Sequence, residues 1–175
     1  MEESQVDQTS FSKVLNLHGI GFNVSAAPKD EENTLSIFTF GLEEKDYNET
    51  FYIPDEEVVD AEVEDLNSDG SPELLVYTRS KDNFGLGNVY AFSVNNLKSM
   101  SQVYFPPISE NEKINQGHIG NDEFSLVENK LVQKFPIFEA DGSNLNATGV
   151  TRQIIYKLIE GEAMRKLEVE SISEY

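Results

Sequence analysis

Two imidazoles, His18 and His118, are the side chains best suited to general acid–base work at neutral pH. Neither stands beside a recognisable nucleophile, and no Gly-x-Ser-x-Gly elbow occurs. His18 falls in a strand-like segment, where a structural role is expected. His118 lies in the polar stretch Gly117-His118-Ile119-Gly120 and is more open to function. Cysteine is absent, which removes thiolate nucleophiles, disulfides and Cys-ligated zinc together. Carboxylates are so numerous that close pairs arise by chance. A glycosidase needs two at a defined separation with one pKa raised, and no pattern singles such a pair out. Gly85-Leu86-Gly87 lacks the rest of a dinucleotide fingerprint and reads as a turn. These residues point to a binding protein rather than a conventional enzyme.

The sharpest local pattern is Asp65-Leu66-Asn67-Ser68-Asp69-Gly70-Ser71-Pro72-Glu73. Oxygen-bearing side chains recur at alternate positions, and a glycine follows the third. A hard cation such as Ca²⁺ takes six or more oxygens from a loop that wraps around it. Asp65, Asn67, Asp69 and Glu73 would be the side-chain ligands, with Ser71 giving its carbonyl. Pro72 and the strand after it suit a β-propeller type of calcium loop better than an EF-hand. The competing reading is an Asx-rich turn held by side-chain to backbone hydrogen bonds.

The chain carries 32 acidic and 13 basic residues, a formal charge of −19. Phosphate binding needs a basic face, so DNA and RNA are disfavoured as partners, and anionic lipid surfaces with them. A basic partner would be steered into contact, although solubility alone also accounts for the charge. The longest apolar run, around Leu74-Leu75-Val76-Tyr77, is far too short to span a bilayer. The start, Met1-Glu2-Glu3-Ser4-Gln5, has neither a basic nor an apolar signal region. A cytosolic protein or one whose leader has been removed both fit.

The elements that must position these residues read mostly as strands. Met1 to Ser10 is a loose tail, and residues 11–175 form one domain. Leu15 and Leu17, then Phe22 and Val24, alternate around a glycine bend. Leu35 to Leu42 is strand-like, and Glu43 to Thr50 is a turn region. Val59, Ala61 and Val63 alternate with Asp60, Glu62 and Glu64. Strands follow at Leu74–Thr78 and Val89–Val94, with a helical turn expected in Asn95–Ser101. Phe124–Val127 and Leu131–Phe135 flank a hairpin turn. Asp141–Thr151 reads as a long loop, and the last strands centre on Tyr156 and Val169. With no helical stripe sustained over three turns, the expectation is an all-β, single-domain antiparallel β-sandwich.

Several of these segments, taken in order, carry a family resemblance. They are Leu15-Asn16-Leu17-His18-Gly19-Ile20-Gly21-Phe22-Asn23-Val24-Ser25, the Ala61–Glu73 turn, Tyr104-Phe105-Pro106-Pro107, Phe135-Pro136-Ile137-Phe138 and Thr151-Arg152-Gln153-Ile154-Ile155-Tyr156-Lys157-Leu158. From about Phe11 onward the chain resembles the periplasmic inhibitors of invertebrate-type lysozyme. The resemblance implies an antiparallel β-sandwich, a periplasmic or cell-envelope location after loss of a leader, and a protruding loop that plugs the lysozyme cleft. The family's loop carries Ser-Gly-x-Tyr. Here Asn83, Phe84 and Leu86 stand in place of the serine, first glycine and tyrosine. The implied partner-binding loop runs from Arg79 to Asn88 and includes Arg79, Ser80, Lys81, Asn83, Phe84, Gly85, Leu86 and Gly87. Arg79 or Lys81 would meet a cleft carboxylate, Asn83 would supply an amide contact, and Phe84 would fill a sugar subsite. An ordinary hairpin loop with Phe84 folded onto the core is the alternative. A homodimer is left open. The second functional expectation is a calcium-stabilised structural or adhesive envelope domain with no enzyme target.

Overall fold

The computed structural model describes residues 10–29 and 32–175. The expected tail, residues 1–9, lies outside them. Ser10 does not belong to that tail, because its N–H and its hydroxyl both bond the Ala26 carbonyl, at 2.9 and 3.1 Å.

The chain is all-β. Its strands are β1 (Phe11–Leu17), β2 (Ile20–Lys29), β3 (Glu32–Phe40), β4 (Asn48–Tyr52), β5 (Glu56–Glu64), β6 (Glu73–Ser80), β7 (Gly87–Asn95), β8 (Ser99–Val103), β9 (Glu123–Val127), β10 (Lys130–Asp141), β11 (Asn144–Ile159) and β12 (Lys166–Glu174). One turn of 3₁₀ helix covers Ile108–Glu110. The strands form three four-stranded antiparallel sheets, each an up-and-down meander: β1–β4, β5–β8 and β9–β12.

Alternation along β6 explains how the sheets stack. Leu74 and Val76 point into one core with Phe22, Val24, Leu35 and Ile37 of the first sheet. Leu75 and Tyr77 point into a second core with Leu131, Phe135, Ile154 and Tyr156 of the third sheet. The β5–β8 sheet is therefore sandwiched, and β6 is buried from Glu73 to Thr78. That is why β6 reads as an unbroken apolar run, since a strand covered on both faces has no solvent side to keep polar.

Several turns use left-handed backbone to close two-residue hairpins. Glu128 and Asn129 do so between β9 and β10, at φ 48° and 65°, as the sequence pattern expected. His18 (φ 52°) and Gly19 (φ 79°) close β1–β2, so His18 sits in a turn and not within a strand. A three-residue turn, Asn96 to Lys98, joins β7 to β8 where a helical turn was expected, with Asn96 and Leu97 left-handed at φ 50° and 59°. Leu97 tolerates this strained backbone because its N–H bonds Ser71 Oγ at 3.1 Å and its side chain packs on the first core. The turn region after Leu42 is shorter than expected, because β4 begins at Asn48. The expected loop 141–151 is instead a β-arm. Asp141 pairs with Asn144 and Phe138 with Ala147, so the strands run almost to the tip.

The outer face of the first sheet consists of register rows: Asn16–Gly21–Phe40, Val14–Asn23–Phe38–Asn48, Ser12–Ser25–Ser36–Thr50 and Ala27–Thr34–Tyr52. The Phe40 ring lies over Gly21, where a Cβ would push it aside. No helix among the described residues is long and apolar enough to cross a membrane.

Candidate functional site

The connection between β6 and β7 is bound together by its own side chains. Ser80 N–H donates to Leu86 O at 2.8 Å, and Ser80 Oγ accepts from Leu86 N–H at 2.7 Å. The Ser80 hydroxyl donates in turn to Asp82 Oδ1 at 2.8 Å, an oxygen that also accepts from the N–H groups of Phe84 and Gly85 at 2.9 and 3.1 Å. These donors, the Ser80 hydroxyl first, hold the Asp82 carboxyl below its usual range. Lys81 N–H reaches Asp55 O at 2.9 Å. The result is a short, self-capped loop with Gly85 in the left-handed region at φ 61°.

A second segment fastens the loop from beneath. Asn121 N–H donates to the carbonyls of Phe84 and Gly85 at 2.8 and 3.0 Å. Gly120 (φ 137°) is what permits this approach, since a Cβ there would overlap Phe84 O. Gly87 N–H donates to Asp122 Oδ2 at 2.8 Å. The side chain of Asp122 is fully buried, and its Oδ1 accepts from His118 Nε2 and Gln133 Nε2, both at 2.7 Å. A carboxylate only accepts, so Nε2 carries the His118 hydrogen. Tyr156 hydroxyl donates to Gln133 Oε1 at 2.8 Å, and the His118 ring meets Phe135 edge-on at 4.3 Å between centroids. Arg152 Nη1 bonds the carbonyls of Ile114 and Gln116 at 2.9 and 2.7 Å. The Thr151–Leu158 segment thus carries structural residues that brace the platform under the loop.

The predicted site residues divide on this geometry. Phe84 is 48% exposed and Leu86 45%, so neither folds onto the core. Asn83 is exposed at the tip. Arg79 Nε is paired with Glu57 across the sheet at 2.6 Å, whereas Lys81 is exposed and joins none of the ion pairs among the described residues. Ser80 is the internal staple, and Gly87 is already the first residue of β7, where a Cβ would strike Asp122 and Phe124. A polar cleft of about 490 Å³ opens beside the loop between Arg79, Lys81, Asp82 and Glu123. A second groove, of about 660 Å³, is lined by Leu86, Asn88, Phe105, Ile108 and His118. Sequence reasoning missed Gly120, Asp122 and Gln133. Their role depends on pairing across the fold, which local spacing does not encode.

The 65–73 loop is a turn closed on its own backbone. Asp65 accepts from Asp69 N–H and Gly70 N–H at 3.1 and 2.9 Å, and Asp69 Oδ1 accepts from Ser71 N–H at 2.8 Å. Asn67 Nδ2 donates to Asp69 Oδ2 at 3.2 Å. His18 stands 3.6 Å from Asp65, and Arg165 lies 4.0 Å from Asp69. Glu73 turns inward, away from the others. Its oxygens accept from Leu66 N–H at 2.7 Å and Ser93 hydroxyl at 2.8 Å, and Ser93 Oγ accepts from Arg165 Nη1 at 2.7 Å. Burial pushes the Glu73 carboxyl up to about 7, and Asp69 and Asp65 add to the rise. Among the described residues no group of three or more His, Asp or Glu is placed to hold a metal ion.

No family model, curated protein or solved structure matches this chain.

Proposed function

We propose that this protein is a binding protein of the cell envelope that inserts the loop Arg79–Asn88 into the active-site cleft of a lysozyme-like muramidase of the invertebrate type and blocks it. The observation that carries this reading is an exposed apolar tip, Phe84 and Leu86, on a loop already held in one shape by Ser80, Asp82, Asn121 and Asp122. A plug that is ordered before binding loses little conformational freedom on docking. Phe84 is suited to a sugar subsite, and the exposed ammonium of Lys81, in no ion pair among the described residues, to a cleft carboxylate. The charge of −19 would speed encounter with a basic enzyme. The sequence resemblance supports the choice of partner.

A cell-wall lysis assay with invertebrate-, chicken- and goose-type lysozymes tests the proposal. Inhibition of the invertebrate type at about micromolar protein, a binding free energy of roughly −8 kcal/mol, is the expected result. Failure to inhibit any of the three rejects it.

A further inference from the structure

The outer face of the β1–β4 sheet carries no charged side chain over the rows from Asn16–Gly21–Phe40 to Ala27–Thr34–Tyr52. In a chain that is 26% charged, such a face stands apart. It is open to solvent, with Val14 56%, Phe38 43%, Phe40 41% and Tyr52 57% exposed. Between these four stand only Ser, Thr, Asn, Gly and Ala. The inner face of this sheet, both faces of β5–β8 and the inner face of β9–β12 lie in the two cores, and the outer face of β9–β12 carries charge at Glu123 and Lys134.

From this we infer that the β1–β4 face is the contact surface for a second copy of this chain, in a two-fold, sheet-on-sheet dimer. Charge selects the occupant. Two copies at −19 repel each other wherever acidic surface meets acidic surface, and this uncharged face is where they come together without that cost. A basic partner, by contrast, gains nothing here that the acidic faces would not give it. An isologous contact also needs a surface that complements itself. A sheet face with four large side chains spaced by small ones meets that need at the ~10 Å separation of packed sheets. Four strands over these rows give roughly 500 Å² per copy and about 1,000 Å² for the pair. That is the lower bound for a specific interface, so the dimer is weak and reversible. Its salt response is the signature: screening removes the repulsion between copies, and association strengthens as salt rises.

Analytical ultracentrifugation of the chain alone tests this, from about 1 µM to 1 mM protein and in roughly 20 and 500 mM NaCl. The expected result is a concentration-dependent dimer, at least tenfold tighter in high salt. Val14→Glu, on the edge strand, and Phe38→Glu, at the centre, should each leave the circular dichroism unchanged and weaken the dimer at least tenfold. Val14→Glu keeps the test decisive where Phe38→Glu fails to fold. A monomer under every condition, a dimer that weakens with salt, or one indifferent to Val14→Glu would overturn the inference. Because no muramidase is present, the result is independent of the proposed function.

Discussion

At the scale of single residues, the loop and the buried Glu73 make separate demands. Phe84→Ala should weaken inhibition by on the order of 2 kcal/mol, about thirtyfold in Kd, as the loss of an interface anchor. Its melting temperature should stay near wild type, because the ring is half exposed. Lys81→Ala should cost more than Arg79→Ala, since Arg79 stays paired with Glu57 while Lys81 has its charge free for the partner. Titrating the variants in the lysis assay checks both. Glu73 governs a pH dependence of stability. Folded Glu73 keeps its proton up to about pH 7, whereas its ordinary value is 4.5. Between those values the folded chain binds more protons than the unfolded one, so stability falls as pH rises. The contribution is fully present below pH 4.5 and is lost by pH 7, by on the order of 1–3 kcal/mol. Urea unfolding at pH 5 and pH 8 should reveal the drop, and Glu73→Gln should flatten it.

At the scale of elements, the 65–73 loop already gives its oxygens to backbone N–H groups, with Arg165 beside Asp69 and Glu73 turned inward. Excess Ca²⁺ and chelator should therefore give the same melting temperature. A rise in Ca²⁺ would mean that a cation displaces Arg165 and binds the folded state. The same loop marks how far the sequence could be read. Its Asx chemistry was legible because the donors and acceptors lie within a few residues of one another. The strand around Leu15 was legible from alternation, the one around Ile37 from its Ile, Phe and Thr content, and the one around Tyr77 from its apolar run. The β-arm 137–150 was not, because its residues are mostly exposed on both faces and leave no apolar period. Nor was the three-sheet stacking, since Leu74-Leu75-Val76-Tyr77 says that a strand is covered on both sides but not by what. At the candidate site, the turn was legible from its glycines, but whether Phe84 is exposed or folds onto the core was not, and the structure leaves Phe84 and Leu86 half exposed. The fastening by Gly120 and Asp122 was not legible either, because those residues are more than thirty positions away in the chain.

At the scale of the whole molecule, two cores with no residue in common are joined through one sheet. Neither outer sheet contributes to the other's core, so each is held through the middle sheet, by burial and by bonds such as Lys13 to Asp60 and Leu126 N–H to Glu62. Phe22→Ala in the first core or Phe135→Ala in the second should cost about 3–5 kcal/mol. The middle sheet also decides the order in which the molecule opens. An outer sheet can lift while β6 keeps its partners β5 and β7 and one covered face, but β6 loses protection only when both sheets have left. Its amides, from Leu74 to Thr78, should be the last to take up deuterium, exchanging only through global unfolding. Phe22→Ala and Phe135→Ala should hasten exchange in opposite halves of the chain first, and in β6 alike. The strand that appears in the sequence as the most apolar run is thus the molecule's slowest clock.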